Sequence, residues 1–141
     1  MNFINNSAVV NDTPIIFGDT LAAGAKKTYK SKLTGNGHIK KVKITFATGE
    51  NCTLQIRPYV IWNGEIIKDL LHYADGAGNY IVGDGVTYDL DDYTPIEANC
   101  MLCVDAYNSG VGSSLVDVVI IVEYEDRMIE RTIIGSKGGN Y

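Results

Sequence analysis

Basic residues are missing from a long part of the chain. Residues 69–126 contain twelve acidic residues and no lysine or arginine, whereas residues 25–43 contain seven lysines and no acid. Charge patterning of this kind bears on partners and association rather than on fold. The sequence therefore predicts two oppositely charged surfaces and a protein that works by binding, without indicating what is bound.

Histidines and recognisable catalytic motifs are also scarce. His38 and His72 are the only two histidines, and no nucleophile elbow, P-loop or zinc-protease motif accompanies them. Asp91 and Asp92 could cleave a glycoside only with another acid facing them across a cleft, and a solvated acidic loop is the simpler interpretation. We therefore expect a protein that is not an enzyme.

Cysteines and long apolar runs are few. The odd count of three, Cys52, Cys100 and Cys103, argues against a secreted disulfide framework. Cys100 and Cys103 have zinc-like spacing, but an alternating strand points them to opposite faces. No apolar run approaches the ~20 residues of a membrane span, and the N-terminus lacks the pattern of an export signal. We expect synthesis in a cytoplasm, with no signal-peptide secretion and no membrane partner.

Alternating apolar and polar residues dominate the rest of the sequence. Val42, Ile44 and Phe46 share one face of a predicted strand, and Leu54, Ile56 and Val60 share one face of the next. Further faces are predicted at Cys100, Leu102, Val104 and Ala106, and at Val116, Val118, Ile120, Val122 and Tyr124. Several short strands separated by turns, in a chain of one domain's length, predict an all-β fold. We expect a single antiparallel β-sandwich of about eight strands, jelly-roll-like, with an immunoglobulin-like sandwich as the alternative.

Turn residues and a proline refine this pattern. Asn63-Gly64 tolerates positive φ at both positions, which predicts a tight hairpin. Pro58, within the strand before that turn, indicates an edge position or a bulge. Residues 66–73 fit either two helical turns or a strand, and the preceding hairpin favours the strand.

The predicted domain organisation has three parts. Residues 1–13 form an N-terminal arm, residues 14–126 the β-sandwich, and residues 127–141 a C-terminal strand with a flexible tail. The last part contains the apolar residues Met128, Ile129, Ile133 and Ile134. These four are the predicted interface residues, because an apolar strand either joins its own sheet or pairs with a neighbouring subunit.

The acidic residues of segment 69–126 suggest a calcium site. Asp75, Asp84, Asp89 and Asp91 offer the hard oxygen ligands that calcium requires, although their spacing matches no EF-hand and ordinary turns explain the same residues. Calcium is therefore a candidate ligand, and no other cofactor is expected.

Tyrosine is abundant, with nine residues. Tyr80, Tyr88 and Tyr93, together with Asp84, form a candidate glycan-binding loop, because aromatic faces beside carboxylates suit sugar rings. Protein interfaces use tyrosine equally well. The lysine-rich segment does not favour nucleic acid, since it contains no arginine, has Tyr29 as a lone aromatic, and belongs to a chain of net charge -5.

The body of the chain resembles the small β-sandwich virion proteins of tailed bacteriophages. The resemblance rests on the alternating strands and on residues 80–84, 104–108 and 118–124, and it does not extend to the arms. It implies a structural subunit of the virion, such as a capsid decoration protein, a head fibre or a tail component. A homo-oligomer that contacts other virion proteins is the expected form, and a carbohydrate- or receptor-binding module is the alternative.

Overall fold

Nine strands and no helix form the described part of the molecule. The computed structural model describes residues 10–71 and 80–125. The strands are β1 (Val10–Leu21), β2 (Lys26–Lys32), β3 (Gly37–Phe46), β4 (Leu54–Trp62), β5 (Ile66–Asp69), β6 (Val86–Asp91), β7 (Pro95–Ile96), β8 (Met101–Asn108) and β9 (Ser114–Glu125). The prediction of an all-β fold is confirmed.

The strands form two antiparallel sheets. One has the order β1-β9-β3-β6, with β7 also pairing with β3, and the other has the order β2-β8-β4-β5. The pairs are nested, because β1 lies beside β9, β2 beside β8, β3 beside β6 and β4 beside β5. A long hairpin folded over itself gives this order, which is the jelly roll. The jelly-roll prediction is confirmed over the immunoglobulin-like alternative.

The core lies between the sheets and follows the period of two. On β9, alternate residues are fully buried while their neighbours face outward. The sequence pattern correctly predicted a set of buried residues on β3, β4, β8 and β9, together with Cys100 just before β8, whereas Tyr124 of β9 is only partly buried. The buried residues are Val42, Ile44, Phe46, Leu54, Ile56, Val60, Cys100, Leu102, Val104, Ala106, Val116, Val118, Ile120 and Val122. Apolar burial on this scale is the main stabilising contribution in such a domain.

Asn63-Gly64 makes the predicted hairpin turn between β4 and β5. Their φ angles are 51° and 75°, and the Glu65 amide donates to the Trp62 carbonyl at 2.9 Å. Asparagine and glycine tolerate this left-handed conformation, which most residues avoid. The turn brings β5 back along β4, so residues 66–69 form a strand as expected.

Pro58 is accommodated in an interior strand because β5 ends beside it. The β4–β5 pairing covers residues 59–62. Beyond it on that side, the Leu70 amide donates to the Pro58 carbonyl at 3.1 Å, and Ile56 forms a bridge with Ile81. Pro58 therefore lies in a local gap in the ladder, where a missing amide donor removes no strand hydrogen bond. The predicted edge position is local rather than a property of the whole strand.

The N-terminal strand begins earlier than the sequence pattern indicates. Val10 pairs with Glu125 and Thr13 with Val122, so residues 10–13, assigned above to an arm, are part of β1. Within the described ranges, no helix is long and apolar enough to cross a membrane.

Asp19 joins the two sheets on the β1–β2 side. Its Oδ2 accepts hydrogen bonds from the Tyr29 hydroxyl at 2.7 Å and from Lys27 Nζ at 3.1 Å. The Tyr29 hydrogen bond, followed by that of Lys27, lowers the pKa of Asp19. This link connects β1 of one sheet to β2 of the other.

Replacing Ile120 by alanine tests the core assignment. Ile120 is fully buried, so the change should lower the free energy of unfolding by about 2–5 kcal/mol through lost burial and a residual cavity. Urea unfolding measures this loss as a lower midpoint with an unchanged slope. Val111→Ala, at a fully exposed loop position, is the control and should change stability by less than about 0.5 kcal/mol. Equal losses in both variants would contradict the assignment.

Candidate functional site

Folding brings Lys27, Lys40 and Lys41 of the lysine-rich segment beside acidic residues. Lys41 Nζ lies 3.3 Å from Asp89 Oδ1 and 3.7 Å from Asp91 Oδ1, both on the neighbouring strand β6. Lys40 Nζ lies 2.9 Å from Asp12 Oδ2. The prediction of two oppositely charged surfaces therefore fails for β3, because antiparallel pairing places acids beside its lysines.

The candidate calcium ligands do not converge. Asp84 Oδ1 accepts the Gly49 and Glu50 amides at 2.7 and 3.1 Å, so it orders the β3–β4 turn. Asp89 and Asp91 face Lys41, and Asp75 lies outside the described residues. In residues 10–71 and 80–125, no three His, Cys, Asp or Glu side chains are grouped so as to hold a metal. Calcium remains a prediction from the sequence.

The candidate glycan residues also occupy different places. Tyr88 packs edge-on against Phe46 with ring centroids 6.0 Å apart, and its hydroxyl donates to the Val82 carbonyl at 3.3 Å. Tyr93 is exposed and stacks on His38 with centroids 5.1 Å apart. Tyr80 instead lines a groove on the outside of the four-stranded sheet. The three tyrosines are close in sequence but lie in three separate environments.

The predicted interface residues cannot be placed in the fold. Met128, Ile129, Ile133 and Ile134 lie outside the described residues, so their contact with a partner stays a prediction. A different apolar surface lies on the outside of the sandwich.

The outer side of the five-stranded sheet carries an apolar patch where β1 and β9 pair. Pro14 lies opposite Ile121 and Ile16 opposite Val119, whereas Leu115 lies further along the same face of β9, separated from Val119 by Asp117. Residues directly opposite in an antiparallel pair point to the same face. Ile16 is 69% exposed and Leu115 is also exposed. We call these five apolar residues the outer apolar face.

Ion pairs border the outer apolar face. Lys41 and its two aspartates lie on one side, because β3 pairs with β9 next to Ile121. Lys40 with Asp12 and Glu123 lies at one end, with Lys40 Nζ 3.7 Å from Glu123 Oε1. An apolar centre inside a charged and polar rim is the usual anatomy of a protein interface.

Both edge strands on this side of the sandwich are blunted against strand addition. β1 is the edge of its sheet and contains Pro14, which lacks an amide donor. β2 is the edge of the other sheet and carries Lys26, Lys30 and Lys32 on its exposed side. Lysine and proline are common devices against edge pairing. A partner is therefore better received on the face than on the edge.

A buried carboxylate supports one end of the outer apolar face. Glu50 lies in the turn between β3 and β4 and is 8% exposed. Its Oε2 accepts a hydrogen bond from the Leu115 amide, at the start of β9, at 3.1 Å. Its Oε1 has no partner among the described residues. Burial raises the pKa of Glu50 above its ordinary value of 4.5. The carboxylate thus fixes the start of β9 at a cost in desolvation.

The sequence contains a signal for the outer apolar face that the strand assignments did not use. β9 is apolar on both faces over residues 118–122, whereas a half-exposed strand alternates. A strand that is apolar on both sides is covered on both sides or meets a partner. Val119 and Ile121 could therefore have been identified as interface candidates from this pattern alone.

Comparison with known proteins identifies no family. No family model and no curated protein match the chain. Solved structures with a similar course include a mitogen from Yersinia pseudotuberculosis, with 8% identity, a TM-score of 0.48 and coverage of 81% of this chain and 87% of that one. Dimeric latent PorU from Porphyromonas gingivalis has 15% identity, a TM-score of 0.43 and coverage of 83% and 13%.

A further solved structure, of infectious bursal disease virus Gx strain, has 10% identity, a TM-score of 0.43 and coverage of 82% of this chain and 32% of that one. The chain therefore spans small parts of the PorU and virus chains. Similarities at this level transfer neither a function nor a residue's role.

Replacing Glu50 by glutamine tests the buried carboxylate. Because folding raises the pKa of Glu50, the native state binds its proton more tightly than the unfolded chain does. This group's contribution to stability is therefore lost as pH rises through the folded pKa. Glu50→Gln cannot ionise, so its stability relative to the wild type should increase between about pH 4 and about pH 7.

Urea midpoints of both proteins across this pH range measure the effect. Glu65→Gln, in the exposed turn between β4 and β5, is the matched control and should follow the wild type at every pH. Parallel curves for Glu50→Gln and the wild type would show that Glu50 does not titrate differently on folding.

Proposed function

We propose that the protein is a non-enzymatic structural subunit that forms a homo-oligomer through the outer apolar face. The proposal rests on Ile16, which is 69% exposed on the edge strand β1 and lies directly opposite Val119, with Pro14 and Ile121 as the next pair on the same face. Scattered exposed aliphatic residues are ordinary on monomers, but a contiguous set with a polar rim marks an interaction site.

A second copy of the chain is the partner that suits this face. An aliphatic centre is complementary to itself, because it needs no matching charge. The rim contains both signs, with Lys40 and Lys41 near Asp12, Asp89 and Asp91. A two-fold rotation of one copy onto the other can therefore place unlike charges opposite each other.

We further propose that this subunit belongs to a virion. The support is the resemblance to β-sandwich virion proteins of tailed bacteriophages, together with the jelly-roll order that many viral structural proteins use. In this proposal the protein is made in the host cytoplasm and contacts other virion proteins as a capsid decoration, head-fibre or tail component. Residues 128–134 would supply a second contact. The activity needs no cofactor.

Replacing Ile16 by glutamate tests the interface. A charge within a desolvated contact should weaken self-association at least tenfold, because burying it without a partner is costly. Sedimentation velocity from about 1 to about 100 µM measures the change. Val111→Glu, which adds the same charge at a fully exposed loop residue, is the matched control and should associate like the wild type.

The effect of salt distinguishes the contribution of the charged rim from that of the apolar residues. High salt should weaken the exposed rim pairs and leave the apolar centre intact, so association should persist at about 1 M NaCl. A wild type that stays monomeric over the whole concentration range would overturn the proposal. Equal weakening by Ile16→Glu and Val111→Glu would place the contact elsewhere.

A further inference from the structure

The outer side of the four-stranded sheet contains a groove formed by three neighbouring strands and one returning segment. Its volume is about 370 Å³, within the range of small-molecule sites. Residues that lie side by side on β2, β8 and β4 form two rows across the sheet. The first row is Lys26, Tyr107 and Gln55, and the second is Thr28, Asp105 and Arg57. Alternation places these side chains on the face opposite Leu102, Val104 and Ala106, which belong to the core.

Tyr80 is positioned at the groove by a β-bridge between its neighbour Ile81 and Ile56 of β4. Ile81 exchanges two backbone hydrogen bonds with Ile56, at 2.8 and 3.0 Å, and so continues the sheet where β5 has ended. Tyr80 therefore comes beside Arg57 and points to the outer face. Tyr80 is 41% exposed and lines the groove together with Tyr107.

Asp105 is held in a fixed orientation at the floor of the groove. Its Oδ1 accepts hydrogen bonds from the Thr28 hydroxyl at 2.7 Å and the Tyr59 hydroxyl at 2.9 Å. Its Oδ2 lies 4.0 Å from Arg57 Nη1. A carboxylate has about four acceptor sites, so those on Oδ2 can receive a ligand hydroxyl without moving the side chain.

The remaining groups supply donors and an apolar surface. Lys26 Nζ lies 4.9 Å from the centroid of the Tyr107 ring and makes no ion pair within the described part of the chain. The Gln55 amide offers both a donor and an acceptor. Together with the exposed ring of Tyr80, these groups combine a flat apolar face with fixed polar atoms.

We propose that this groove binds the hexopyranose unit of a neutral glycan. A pyranose has a C–H face that packs on an aromatic ring, and adjacent hydroxyls that donate to a carboxylate and accept from an ammonium or amide. Lys27 is paired with Asp19 and Arg57 with Asp69, and Lys26 balances Asp105, so the groove carries no net charge and favours a neutral ligand. The groove lies on the sheet opposite the outer apolar face, so glycan binding and self-association use different surfaces.

Association would raise the strength of glycan binding. A shallow groove with few polar contacts gives weak single-site binding, and an oligomer presenting several grooves gains avidity by effective concentration. The groove's own binding does not depend on oligomerisation, so the test uses soluble disaccharides. Its failure is thereby distinguishable from failure of the proposed self-association.

Titration of the full chain with lactose, maltose, cellobiose and mannobiose, followed by ¹H–¹⁵N NMR, tests the proposal. Saturable shifts for at least one disaccharide are expected at the amides of Lys26, Gln55, Tyr80 and Tyr107. Tyr80→Ala and Gln55→Ala should each weaken binding about tenfold, because each removes a stacking or polar contact with the sugar.

Tyr93→Ala is the matched control, because Tyr93 is also an exposed tyrosine but lies away from the groove. It should bind like the wild type, and Tyr80→Phe should retain stacking and most of the affinity. Thermal unfolding of each variant confirms that it is folded. A sulfated disaccharide from heparin, tested in the same way, separates neutral from anionic ligands.

Three outcomes would overturn the proposal. The first is the absence of shifts in the groove with all four neutral disaccharides at about 50 mM, a concentration that would reveal even weak binding. The second is an affinity that Tyr80→Ala leaves unchanged or that Tyr93→Ala lowers equally. The third is binding of the sulfated disaccharide alone, lost at high salt, which would assign the groove to anions.

Discussion

The pairing of β9 between β1 and β3 is the constraint on which most of the structure depends. β9 follows β1 for its whole length and β3 for half of it, so it holds the N-terminal strand in the sheet. Its inward residues, Val116, Val118, Ile120 and Val122, are fully buried. A shift of register by one residue would turn these side chains to solvent and bring Val119 and Ile121 into the core. The same pairing therefore sets both the core and the outer apolar face.

β8 has the corresponding place in the other sheet. It lies between β2 and β4, its even-numbered residues from Leu102 to Ala106 are buried, and its odd-numbered residues carry Asp105 and Tyr107 to the groove. In each sheet, the strand next to the edge strand contributes one face to the core and the other face to the outer surface. This division explains how a chain of one domain's length can carry two independent surfaces.

Much of the fold follows from local sequence pattern. Alternation correctly identified the buried residues of β3, β4, β8 and β9, because a half-buried strand leaves a period of two whatever its partner is. The Asn63-Gly64 turn was recognisable since its positive φ angles restrict the residue types. Strand order is a nonlocal property, so the jelly roll was one of two candidates until the pairing was known.

The sites were harder to predict than the fold. Tyr80, Tyr88 and Tyr93 are close in sequence, but alternation and a change of strand send them to the groove, the Phe46 ring and the His38 ring. The groove instead joins residues of β2, β4 and β8, whose proximity depends on register. Charge was misleading for the same reason, because Lys41 is far from Asp89 in sequence and 3.3 Å from it in space.

The edges of the two sheets bear on the size that an assembly can reach. β1 has Pro14, β2 has lysines, β6 has Asp89 and Asp91, and β5 has only four residues. Long unprotected edges permit one copy to add to the next without limit, which leads to fibres. With all four edges interrupted, the proposed oligomer would not grow by strand addition, and a two-fold contact through a face would close it at a defined stoichiometry. A protein required in a fixed number at each position of a larger particle needs this property.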